Sequence, residues 1–199
     1  MTCIVGFIDK KSKNVWIGGD SLGSNGYTKA TNLSSKVFRN SIFPEVIMGS
    51  TTTFRHIDLL KYSDNLFPEI DKYKGQDLNH EYMVKTFVPN LIKLFQDGIY
   101  SEEATCKGAN FLIGCKDKLF EIQNDYSVLV PDLFSAVGCG QDVAIGSLIS
   151  TTSLKCCENM EVQDHILTAL RAATQRCCGV SGPYILLNTS TNEIYRYDN

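Results

Sequence analysis

The sequence predicts an α+β domain in which two stacked antiparallel sheets lie between two helical layers. Three observations carry that expectation: strand-like runs from residue 3 onward, a pair of helical patterns after them, and the same succession again before closing strands. The 199 residues carry no evident linker, repeat or low-complexity stretch, so one domain over residues 1–199 is expected.

The first strand begins at residue 3, where Ile4, Val5, Phe7 and Ile8 are β-branched or aromatic. A polar turn at residues 9–13 leads to Asn14-Val15-Trp16-Ile17, and Gly18-Gly19-Asp20-Ser21 puts Asp20 at that strand's end. Lys36 opens another short strand through Val37, Phe38 and Arg39, and residues 45–49 form the next. Ser50, Thr51, Thr52 and Thr53 offer N-cap side chains for a helix through Ile57, Leu59, Leu60 and Tyr62. Residues 63–78 are a polar connection. A second helix over residues 79–97 carries Val84, Phe87, Val88, Leu91, Ile92, Leu94 and Phe95 at helical spacing. Pro89 inside it predicts a kink or a late start.

Strands return over residues 109–115, 118–123 and 126–130 as a meander. The run from Phe134 to Gly140 leads into a helix over residues 143–154. The next helix, over residues 162–176, turns Val162, Ile166, Leu167, Leu170 and Ala173 inward, and strands at 184–188 and 193–197 close the chain.

Composition excludes several classes of function. A net charge of −3 leaves no basic footprint for nucleic acid. No apolar run approaches the ~20 residues that span a bilayer, and no charged start followed by an apolar stretch marks a secretory signal. A cytoplasmic protein without membrane or nucleic-acid partners is expected. The eight cysteines form no zinc-like spacing, since Cys156-Cys157 and Cys177-Cys178 are adjacent and only three histidines accompany them. Reduced, mostly buried thiols are expected, with no metal and no cofactor.

Thr2 is small, so Met1 is of the kind normally removed in the cell. Removal would leave an α-amine and a β-hydroxyl on one residue. An α-amine titrates near ~8 and can accept the hydroxyl proton, so the pair is a nucleophile with its own base. A lysine nearby would lower both pKa values, and an aspartate beside the lysine would hold it in place and charged.

In this order the residues resemble the proteasome β-subunits, and especially the bacterial HslV-type peptidases, among the N-terminal nucleophile (Ntn) hydrolases. The resemblance rests on Met1-Thr2-Cys3-Ile4-Val5, on Gly18-Gly19-Asp20-Ser21 and on Ser35-Lys36-Val37-Phe38-Arg39, with the family's spacing between Asp20 and Lys36. It implies an αββα sandwich over essentially the whole chain. It makes Thr2 the nucleophile, Lys36 the lysine that tunes it, and Asp20 the partner of that lysine. Gly49 would give its N–H to the oxyanion; read without the resemblance, it is a strand-to-helix turn glycine.

Ala136-Val137-Gly138-Cys139-Gly140 resembles the family's Gly-Ser-Gly turn, with Cys139 where a serine approaches the nucleophile's amine. Ser181 matches a family serine with a slip of one residue, and either Cys177 or Cys178 stands where the family has an aspartate. Cys3 is not the nucleophile, since loss of Met1 leaves Thr2 in front of it.

By the same analogy the segment from Gly23 and Ser24 to Lys29, together with the strand ending at Gly49, would pair with an extended peptide. Phe38, Ile47 and Thr51 would line the first specificity pocket, which takes an apolar or small side chain. The implied partners are a peptide or unfolded protein substrate, copies of the chain in a homo-oligomeric ring, and an ATP-dependent AAA+ unfoldase. The expected function is a threonine peptidase. Two alternatives stand: a catalytically silent structural subunit, and an Ntn amidohydrolase acting on a small amide.

Overall fold

A computed structural model describes residues 1–24, 27–31, 35–51, 53–68, 78–98 and 109–198. The chain opens with a hairpin, β1 (Cys3–Asp9) and β2 (Asn14–Gly19), turned by Asp9, whose carboxylate accepts the N–H groups of Lys11 and Ser12. A small two-stranded sheet follows, β3 (Leu22–Ser24) with β4 (Lys29–Thr31). Then come β5 (Val37–Arg39), β6 (Val46–Ser50) and helix α1 (Phe54–Tyr62). Of the candidate caps Thr53 takes the position, and its hydroxyl accepts the His56 N–H.

The second predicted helix exists in three pieces: α2 (His80–Tyr82), a π-helical turn over Met83–Phe87, and α3 (Val88–Gly98). The widened turn is the local answer to Pro89, whose ring would strike the carbonyl four residues back. The Val88 N–H reaches past that point to the Met83 carbonyl. The expected connection over 63–78 lies partly outside the described residues.

Strands β7 (Phe111–Cys115), β8 (Lys118–Ile122), β9 (Val128–Leu129) and β10 (Phe134–Gly138) follow. The third strand of the meander is shorter than predicted because Tyr126 takes a positive φ of 68° in the turn. Helices α4 (Gln141–Ser153) and α5 (Val162–Arg176) precede β11 (Tyr184–Asn188) and β12 (Tyr195–Tyr197).

The strands form two five-stranded antiparallel sheets, ordered β10-β1-β2-β11-β12 and β5-β6-β7-β8-β9. Strand alternation sorts the side chains into three buried layers. Ile4, Val15, Ile17, Val37, Ile47, Leu112 and Val137 meet between the sheets. Cys3, Val5 and Phe7, on the other face of β1, pack on α4 and α5 through Ala144, Leu148, Ile166 and Leu170. Val46, Met48, Phe111 and Ile113 face Ile57, Leu60, Leu91 and Phe95 of α1 and α3. This is the predicted αββα order. The expectation of mostly buried cysteines is corrected: among the described ones only Cys3 and Cys115 are buried, because the others sit in turns and helix ends.

Candidate active site

Thr2 lies at the lip of the sandwich, immediately before β1, and is only 4% exposed. Its backbone is clamped by the turn after β10: the Thr2 N–H donates to Cys139 Sγ at 3.3 Å, and the Gly140 N–H donates to the Thr2 carbonyl at 3.3 Å. Cys139 Sγ also approaches that carbonyl at 3.4 Å. Gly138 makes the close approach possible. Its φ is +101°, and a Cβ there would stand 2.3 Å from the Thr2 carbonyl oxygen.

Asp20 follows β2 and is locked to the start of β1. Its N–H donates to the Cys3 carbonyl at 3.2 Å, and its Oδ1 accepts the Cys3 N–H at 2.9 Å. Oδ2 accepts the Leu22 N–H at 3.1 Å and is reached by the Ser181 N–H at 3.5 Å. Lys36 Nζ completes the arrangement at 3.0 Å from Oδ1 and 2.8 Å from Oδ2. Both side chains of the pair are almost wholly buried. Burial pushes the Asp20 carboxyl up, and the Lys36 charge with the Cys3 and Leu22 N–H groups opposes it.

The third contact of Lys36 is the Met1 carbonyl, at 3.1 Å. The Thr2 hydroxyl donates to that same oxygen at 2.5 Å. The lysine and the hydroxyl thus converge on one carbonyl oxygen, with the Asp20 carboxylate behind the lysine. Cys3, beneath them, is fully buried, and burial followed by the Asp20 charge raises its thiol far above the ordinary range.

The other predicted residues divide. Gly23, Ser24 and Thr51 wall a hollow of about 40 Å³ beside Thr2, together with Leu22, Phe54 and Ile57. Ser181 reaches the site through its backbone alone, bracing Asp20 and accepting the Ser21 N–H at 3.1 Å. Cys177 approaches the Cys139 carbonyl at 3.5 Å, so a thiol stands one contact behind the turn that clamps Thr2. Burial, then the neighbouring Cys139, raises the Cys177 pKa.

Three expectations need correction. Ile47 lines no pocket at Thr2, because the two-residue period of β6 turns it between the sheets, where it is fully buried with Ile4 and Ile17. Phe38 pairs with Met48 on the opposite face and packs toward the helices. Gly49 is the third. The Thr51 N–H donates to the Asn110 carbonyl, and Gly49 lies two residues back in the same phase, opposite Leu112. Its N–H is therefore directed into the ladder with β7. The Ser50 N–H is bonded to the Lys36 carbonyl, so the end of β6 offers no free donor from Gly49 to Thr51. Glycine is required at 49 for packing, since a Cβ would meet Ile4 Cγ2 at 2.4 Å.

Phe54, Ile57 and Asp142 were missed by the sequence reading. The first two follow the cap at Thr53 at helical spacing and could have been read as a wall facing the strand before them. Asp142 lies two residues beyond Gly140 in the first turn of α4, and with Cys139 and Asn110 it lines a second hollow at Thr2. Among the described residues, no cluster of metal-ligating side chains is present and no helix is long and apolar enough to cross a membrane.

Solved structures share this fold. Thiobacillus denitrificans BPH, solved in complex with epoxomicin, superposes with a TM-score of 0.71 at 15% identity, covering 93% of this chain and 97% of that one. A second BPH structure gives 0.70 at 16% identity, covering 93% and 96%. Eukaryotic HslV from Trypanosoma brucei gives 0.67 at 17% identity, covering 94% and 98%. The chain thus has an HslV-type fold. No protein-family model and no curated protein matches the sequence.

Proposed function

We propose that the chain is an N-terminal threonine peptidase, with residues 1–199 acting as one catalytic domain. The observation that carries this reading is the buried Asp20–Lys36 pair aimed at the carbonyl oxygen on which the Thr2 hydroxyl also converges. A buried ion pair contributes little net stability to a core, so its placement against one hydroxyl argues for chemistry.

Loss of Met1 frees the Thr2 amine. That amine takes the hydroxyl proton as Oγ attacks the scissile carbonyl, and the C–N bond breaks as the proton passes to the departing nitrogen. Water then cleaves the ester, returning Thr2. Lys36 places a positive charge where the oxyanion and the ionising hydroxyl develop. Cys139 holds the clamp that the resembled family builds with serine. An extended peptide pairs along β3, and its acyl-side residue enters the hollow of about 40 Å³ walled by Leu22, Phe54 and Ile57. Ring assembly of copies, docking of an AAA+ unfoldase and a cytoplasmic setting belong to the same reading.

Two observations favour a second reading, a silent structural subunit: Cys139 at Thr2 and Cys177 one contact behind it stand where the resembled family has a serine and a carboxylate, and β6 gives no free oxyanion donor. Intact mass decides between them. The purified protein should lack Met1 and gain a single adduct at Thr2 on treatment with epoxomicin, whose ketone and epoxide need a hydroxyl and an amine. T2A should gain none. Retained Met1, or a free Thr2 that never reacts, would sink the peptidase and leave the scaffold.

A further inference from the structure

Two hollows of different character meet at Thr2, with Thr51 on the wall of both. The smaller one lies toward β3, Lys36 and α1 and, on the peptidase reading, takes the acyl half of the substrate. The larger, about 570 Å³, opens on the α4 side between Asn110, Asn124, Cys139, Gln141 and Asp142. Among the described residues, no lysine or arginine lines it, and Asp142 is the carboxylate on its wall. Its backbone frame is tied to the nucleophile, because Gly140, two residues before Asp142, donates to the Thr2 carbonyl. A peptide crossing Thr2 with one half along β3 must lay its other half in this hollow.

We propose that the larger hollow is the leaving-group subsite and that it selects a cationic residue, lysine or arginine, on the amine side of the scissile bond. The inference rests on the peptidase reading and deepens it. The Asp142 carboxylate supplies the attraction, and the carboxamides of Asn110, Asn124 and Gln141 offer donors and acceptors to a polar side chain and to the peptide backbone. The same carboxylate faces the ammonium group that the departing fragment acquires once the C–N bond has broken. Asp142 is exposed, so the attraction is that of a solvent-screened pair: a few-fold preference that salt weakens.

The test uses the full-length protein without Met1 and internally quenched peptides that differ only in the residue after the scissile bond: lysine, leucine or glutamate. The expected order of kcat/KM is lysine, leucine, glutamate. D142N should shrink the lysine-to-glutamate ratio by roughly two- to fivefold. Raising the salt should shrink it in the parent protein and hardly at all in D142N. Turnover with no charge preference, or a ratio that D142N and salt leave unchanged, overturns the subsite and spares the peptidase. Absence of turnover with all three peptides, together with no epoxomicin adduct, overturns the peptidase and the subsite with it.

Discussion

Among the described residues, Lys36 has no acidic partner other than Asp20, and Asp20 has no cation other than Lys36. Removing one leaves a buried charge uncompensated, so K36A should lower the stability of the fold by about 3 kcal/mol, measured by urea unfolding. Peptide hydrolysis should vanish in the same variant. T2A, by contrast, should lose hydrolysis and keep its unfolding midpoint. At Gly138, alanine meets both a positive φ and the Thr2 carbonyl. G138A should therefore abolish the epoxomicin adduct with Thr2 itself intact, visible by intact mass. At this scale the sequence was legible where the resemblance supplied an ordered set: Asp20 and Lys36 pair, and Lys36 and the Thr2 hydroxyl meet at the Met1 carbonyl. It was illegible where hydrogen-bond phase decides, as at Gly49, whose N–H belongs to the ladder with β7.

Elements carry their own consequences. Helix α1 brings Phe54 over β3, where its ring lies 3.4 Å from the position of a Cβ on Gly23. On the proposed peptidase reading, the hollow it helps to close would favour alanine or serine on the acyl side of the scissile bond. F54A should raise kcat/KM for a leucine peptide relative to an alanine peptide about tenfold, which a pair of fluorogenic substrates would read.

Two helices also bury a histidine. His56 of α1 packs against Phe95 and Phe111, and His165 of α5 stacks on Phe7 and bonds to Thr151. Burial lowers both pKa values from about 6.5. The unfolded chain binds protons first on acidification, so stability from these sites is complete above pH 6.5 and declines as pH falls through the folded values. Thermal midpoints between pH 7.5 and about pH 5 should fall accordingly, and H56F should flatten part of the decline. Element order was readable from periodicity. The π-turn before Pro89 was not, because the proline announces a disturbance without saying how the helix absorbs it.

At the scale of the molecule, both helical layers present apolar side chains outward, with Ile149 and Leu154 each 53% exposed around the end of α4. Such residues suit contact with further copies. Sedimentation should find a ring-sized oligomer, and the pair I149D and L154D should dissociate it; a monomer in the parent protein would overturn the ring. The layered sandwich could be read from the sequence because each strand's alternation implies two faces to cover. Which outer surface meets which partner could not, since exposure leaves no periodic trace.

Met1 is seated as well as attached. Its carbonyl rests on Lys36, and its side chain fills the space that Gly179 leaves by having no Cβ, where one would stand 2.1 Å away. The bond to be cut lies beside a residue 4% exposed at the mouth of β1. On the proposed peptidase reading, an aminopeptidase would reach that bond most readily while β1 is still unpaired. On the same reading, maturation becomes a race between trimming and folding, and a molecule that folds first would keep Thr2 capped.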